Sequence, residues 1–330
     1  MISLRMICQS LMCLAVSVAV SGHAQTVIKF SHYGPPTDPV HVGALKFKEV
    51  VEAKSGGKIK VNLFLGGALG SDQANVSALQ GGTLEMVAMN SGILASQVKD
   101  FGVFDFPFMF ADGKEADAVV DGSFGKKMHA KLLDKGIVGL GYYELGFRHM
   151  SNGRRPITKV ADIEGLKLRV IPNPINVDWV KALGANPTPL PFPELYAALE
   201  QKAVDGQENP VATINSAKLY EVQKYVSETN HIWDPFFILG NRRSMTGLPT
   251  DLQELVRKEF DRAALEQRED TAKLNVTLKD QLIAKGLTFV ASDKDSFRKA
   301  LSKSGFYTEW RGKFGEENWK ILESAVGTMA

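Results

Sequence analysis

The feature that most constrains this chain is a strand–helix–strand rhythm that starts at residue 27 and repeats. Residues 27–31 form a short β-like run, and residues 41–53 follow as a helix with Ala44, Phe47, Val50 and Val51 on one side. Ser55-Gly56-Gly57 stops that helix. Residues 58–65 then alternate, with Ile59, Val61 and Leu63 on one face, as a strand requires. Residues 72–80 read as a second helix stopped by Gly81-Gly82, and residues 84–89 as a buried strand running into Asn90-Ser91-Gly92. Strands that alternate with helices at this spacing are joined by crossovers, so an α/β fold on a parallel sheet is expected. At 330 residues the chain has material for about two domains of ordinary size.

Further along, five phenylalanines crowd around Pro107 (Phe101, Phe104, Phe106, Phe108, Phe110), which reads as a core plug or domain wall. Residues 114–135 read as one helix ended by Gly136, and residues 137–143 as a strand that residues 144–149 continue. Residues 211–225 look helical and residues 236–239 look like a strand. A charged amphipathic helix is expected over residues 249–268 and a further helical stretch over 275–285. Residues 292–303 and 316–325 read as closing helices.

The first 24 residues stand apart. They hold one charge, Arg5, then an apolar run over residues 11–20, then Gly22-His23-Ala24. A charged start, an apolar middle and a small-x-small end describe a secretory signal peptide cleaved after Ala24. The apolar run is too short for a membrane anchor. Cys8 and Cys13 both lie in this leader, so the mature chain is expected to hold no disulfide and no cysteine nucleophile. Losing Arg5 takes 39 basic residues to 38 against 37 acidic, a mature charge of +1, which gives no sign of a nucleic-acid partner. A large exported chain without disulfides fits a bacterial periplasm.

Motifs for bound chemistry are missing. Gly139-Leu-Gly141-Tyr-Tyr-Glu144 starts like a dinucleotide fingerprint, but Glu144 stands at the third glycine and the run lies in a strand. No Gly-x-Ser-x-Gly elbow and no phosphate-cradling loop occur. His32, His41, His129, His149 and His231 are scattered, unlike zinc ligands. No cofactor and no metal are expected. Arg169 lies in the run Gly-Leu-Lys-Leu-Arg-Val (residues 165–170) and points opposite to Leu168 and Val170. Such an arginine either caps a solvated strand face, the commoner case, or reaches into a cleft as a two-pronged anion clamp.

That run is followed in order by Lys-Ala-Leu-Gly-Ala-Asn-Pro (181–187), Pro-Phe-Pro-Glu-Leu-Tyr (191–196), Ala-Val-Asp-Gly-Gln-Glu-Asn-Pro (203–210), Tyr-Glu-Val-Gln-Lys-Tyr (220–225) and Thr-Asn-His-Ile (229–232). With Leu69-Gly70 and Gly146-Phe-Arg148, these closely resemble the solute-binding subunit of tripartite ATP-independent periplasmic (TRAP) transporters, C4-dicarboxylate-binding type. The resemblance covers nearly the whole mature chain.

It implies a two-lobed α/β periplasmic binding protein, type II-like, that closes on its ligand about a hinge and catalyses nothing. Lobe I would hold residues 25–147 and 235–274, and lobe II residues 148–234 and 275–330. The family's invariant arginine matches Arg169, which would grip a substrate carboxylate. Arg148 matches a second family arginine, Asn209 an asparagine on the same carboxylate, and Phe192 a pocket aromatic. Tyr33, Asp72, Asn90 and Ser91 fall where lobe I faces the rest of the ligand, and Trp179 follows Arg169 on a helix. The sialic-acid-binding branch has Asn at Tyr33 and Glu at Asn90, so a smaller or partly apolar acid is favoured over a polyhydroxylated sugar acid. Expected partners are a small organic acid anion and a membrane permease of small and large integral subunits, with the binding protein a monomer. Two rivals are an exported lyase or isomerase using Asp72 or Glu208 as a base, and the ligand-binding component of a sensor.

Overall fold

A computed structural model describes residues 25–326; the expected signal peptide lies outside them. Nine strands form one sheet among the described residues: β1 (Thr26–Ser31), β2 (Ile59–Phe64), β3 (Met86–Asn90), β4 (Ile137–Asn152), β5 (Lys167–Val170), β6 (Asn186–Pro189), β7 (Gly206–Pro210), β8 (Tyr225–Asn241) and β9 (Thr288–Ala291). Their order is β2-β1-β3-β8-β4-β7-β5-β6, with β9 added on β8. β1 pairs in parallel with β2 and β3, joined by the helices Pro39–Lys54 and Asp72–Gly81, as the opening rhythm requires. β5 pairs in parallel with β6 and β7 in the same way. The fold is therefore a two-lobed α/β protein.

What joins the lobes is a ribbon of two long antiparallel strands. β4 has 16 residues and β8 has 17, roughly 50 Å of extended chain. Their outer ends pair Ile137–Tyr143 with residues 236–241 beside β3, and their inner ends pair residues 148–152 with residues 225–232 beside β7. The register shifts between Glu144 and Phe147, at the crossing. Gly146 sits there with φ +93°, and a Cβ on it would meet Asn275 Nδ2 at 2.8 Å. The position therefore takes glycine on two grounds, backbone and space. The helix Thr250–Ala284, 35 residues and roughly 50 Å long, backs the ribbon. Its Phe260 and Ala263 pack with Phe47 and Ile238, and its Leu282 packs with Leu195 and Val226.

Several expected elements differ. The two stretches 249–268 and 275–285 are one helix, because residues 269–274 contain no glycine or proline to break it. The helix expected over 114–135 is two, Gly113–Asp121 and Ser123–Leu133, parted at Gly122, whose backbone is extended. Residues 211–225 hold only a short helix, Val211–Ser216, and a turn. Lys218 takes the left-handed conformation (φ +54°), and Tyr225 already begins β8. β8 was legible only at its apolar end. Ser227, Thr229 and His231 in its other half are fully buried polar residues and carry no hydrophobic alternation. The phenylalanine cluster is core: Phe106 packs edge-on to Trp319 and against Phe306, Tyr307 and Phe314 of the closing helices.

Candidate functional site

Parallel strands aim their carboxyl ends at one edge, where the loops that follow them converge. Tyr33 follows β1, Asn90 ends β3, Arg169 lies near the end of β5 and Asn209 near the end of β7. These four, with Asp72, Arg148 and Phe192, line one cavity of about 50 Å³. That is a few times the space one water occupies, which suits a small molecule. Gly34, Asp38, Ile93, Leu145, Ile171, Thr213 and Phe236 complete the lining. No local signal marks these seven, since nothing along the chain distinguishes a cleft wall from a core position.

Arg169 is 2% exposed, which removes the solvated-face alternative. Its Nε donates to the Leu190 carbonyl at 2.9 Å, and its guanidinium lies 5.9 Å from the Phe192 ring centre. Among the described residues Nη1 and Nη2 have no protein hydrogen bond and no carboxylate reaches the side chain. Burial, partly offset by Glu208, pushes its pKa down to about 10, leaving it charged at neutral pH. A buried cation with two unengaged N–H forks is the chemistry that receives a carboxylate.

Arg148 is its opposite. Nε and Nη2 grip Glu208 at 2.5 and 2.9 Å, Nη1 reaches Asp234 at 2.7 Å, and Nη2 also touches the Glu208 carbonyl and Asn209 Oδ1. His231 adds a contact to Glu208 at 3.2 Å. Burial alone would raise the Glu208 carboxyl, but Arg148 overrides it and holds it down to about 2. Glu208 therefore stabilises the fold fully above its ordinary pKa of 4.5, and this contribution is lost as pH falls from about 4.5 toward 2. At about 1.4 kcal/mol for each pH unit, about 3 kcal/mol is at stake. Urea unfolding of wild type and Glu208→Gln between pH 6 and 2.5 checks this. The difference in stability between them is expected to shrink through that window; a constant difference would refute the assignment.

The remaining expected residues divide. Asn209 Oδ1 accepts from Arg148 and its Nδ2 donates to Gln207, while Asn90 Oδ1 accepts from the Gly92 amide and its Nδ2 donates to Asp234, so both edge the cavity with most of their capacity used. The Tyr33 hydroxyl is held between the Gly70 carbonyl and Asn75, leaving the ring as wall. Asp72, first residue of its helix, faces the cavity without a protein hydrogen bond. Burial pushes its pKa up to about 7, with Arg169 pulling it back. Two expected residues are elsewhere. Trp179 is fully buried, its Nε1 satisfied by Asn176 at 2.9 Å and its ring against His231, so it is core. Ser91 is turned away to donate to Asp105 at 3.0 Å. His32 and His41 hydrogen-bond each other at 3.1 Å. Among the described residues no group of three or more His, Cys, Asp or Glu is arranged to hold a metal, and no helix is long and apolar enough to cross a membrane.

The comparisons bear on this geometry. The model of the family described as bacterial extracellular solute-binding protein, family 7, matches residues 30–324. The 2,3-diketo-L-gulonate-binding periplasmic protein of Escherichia coli K12 is 33% identical over 284 residues, covering 86% of this chain and 87% of that protein. Among solved structures, a TRAP periplasmic solute-binding protein from Polaromonas sp. JS666 bound to D-erythronate is 32% identical with a TM-score of 0.87, covering 93% of this chain and all of that one. A second, from Bordetella bronchispeptica with density assigned to pantoate, is 34% identical with a TM-score of 0.87 over the same shares. By the family match and by this fold, the chain belongs to bacterial extracellular solute-binding protein family 7, as a solute-binding component of TRAP transport and not an enzyme.

Proposed function

We propose that this protein captures a small organic acid anion in the cleft between its lobes, by its carboxylate, and delivers it to a TRAP membrane permease of small and large integral subunits. The observation that carries this reading is Arg169, buried and charged, with Nη1 and Nη2 turned to the cavity and unengaged. A carboxylate there gains far more than in water, because the surroundings screen poorly. Phe192 backs the guanidinium, and Asn209 and Arg148 complete the floor from lobe II. Tyr33, Asp72 and Asn90 face them from lobe I. Ser91 and Trp179 support the site from behind.

The lobes in this reading are residues 25–147 with 235–274 and residues 148–234 with 275–330, hinged at the β4–β8 ribbon near Gly146. The ligand gives closure its reason, since its carboxylate sits on lobe II and the rest of it meets lobe I only when the lobes close. The protein is exported by residues 1–24 to the periplasm and acts as a monomer. A thermal-shift screen of the mature chain against organic acids tests the reading. At 100 times its Kd a true ligand adds about 2.7 kcal/mol of stability, several degrees of Tm. No shift with any organic acid would refute it.

A further inference from the structure

Few polar groups around the cavity remain without a partner in the protein. Arg169 keeps Nη1 and Nη2. Asp72 keeps its whole carboxylate: no hydrogen bond or ion pair reaches it among the described residues, although it lies near enough for Arg169 to influence its charge. Thr213 keeps its hydroxyl, which is buried and unpaired. The other charged lining groups are engaged. Asp38 accepts from Ser216 Oγ at 2.8 Å and from the Val40 amide at 2.9 Å, and Arg148 is saturated by Glu208 and Asp234.

We infer that the ligand carries a single carboxylate together with at least one hydroxyl, and that Asp72 is the residue that selects this class, a short hydroxymonocarboxylate, over dicarboxylates. This rests on the carboxylate-capture reading above. With Arg169 taken by the first carboxylate, the lining offers a second one no free cation. It offers the Asp72 anion instead, which repels it. A hydroxyl avoids that repulsion. It donates to Asp72 in a charge-assisted bond, and the Thr213 hydroxyl can pair with a second polar atom. Selection of this kind works by penalising the wrong ligand as well as by holding the right one. The walls from Phe192, Phe236 and Ile171 accept a carbon skeleton with alkyl branches.

Calorimetry at pH 8, above the raised range of Asp72, with D-erythronate, pantoate and succinate tests this. The wild type is expected to bind at least one of the two hydroxy acids tenfold or more tighter than succinate. Asp72→Asn keeps shape and removes the anion. It is expected to weaken the hydroxy acid at least tenfold and to strengthen succinate, closing the gap. A wild type that prefers succinate overturns the inference, as does an unchanged hydroxy acid to succinate ratio in Asp72→Asn. In either case binding that still depends on Arg169 leaves the capture reading standing. If no acid binds, or binding survives Arg169→Ala, that reading falls and this inference with it.

Discussion

Arg169→Ala is expected to weaken organic-acid binding by roughly 30-fold to several thousand-fold, with the folded protein as stable as before or more so. Truncating one partner of a buried, hydrogen-bonded charge pair costs about 2–5 kcal/mol, and about 1.4 kcal/mol is tenfold in Kd. The stability half follows from the site. Arg169 makes one protein hydrogen bond, to the Leu190 carbonyl, and no ion pair within the described residues. Its desolvation is offset poorly until an anion arrives, so its removal takes away a cost of the ligand-free state. Arg169→Lys is expected to fall between, since an ammonium keeps the charge and loses the fork. Calorimetric titration gives the affinities and thermal melts of the ligand-free variants give the stabilities. Unchanged affinity in Arg169→Ala would sink the clamp.

Arg148→Met is expected to do the reverse, with its main effect on folding. Methionine keeps the packing of the stem but leaves Glu208 and Asp234 facing each other without a cation, both at 1% exposure or less. Removing one partner of a buried ionic cluster costs about 3–5 kcal/mol, a fall in Tm on the order of 10 °C. The Asn209 and Asp234 side chains also lose the group that fixes them, so the lining loosens and affinity falls as a consequence. Thermal and urea unfolding without ligand check this. A Tm within a degree or two of wild type would show that Arg148 is not the keystone of the cluster. The two arginines lie in one cavity at nearly equal burial, and the difference between them is only what the protein has already placed around each.

That difference was illegible in the residues alone. Arg148 and Arg169 both matched a family pattern and both were expected at the ligand. Only the fold brings Asp234, 86 positions away, and Glu208, 60 positions away, onto the first and leaves the second free. Trp179 misled for a related reason. A tryptophan near a site suits a ligand wall and a core equally, and the choice lay with Asn176 and His231, which satisfy and cover it. Thr213 could not have been singled out, because its significance is a hydroxyl left unpaired by the folded surroundings.

The sequence by itself determined the α/β class, through apolar periods that switch between two and 3.6 residues, and the family, through ordered motifs over most of the chain. The family resemblance those motifs carry singled out Arg169 for a carboxylate. Tertiary structure alone decided the full length of β8 and its pairing with β4, and the joining of two helical stretches into the helix Thr250–Ala284, because buried polar strand residues and the polar joint at residues 269–274 carry no hydrophobic period. It also decided which polar groups remain unengaged at the cavity. Periodicity and motif are properties of neighbours along the chain, whereas an unpaired hydrogen bond is a property of neighbours in space.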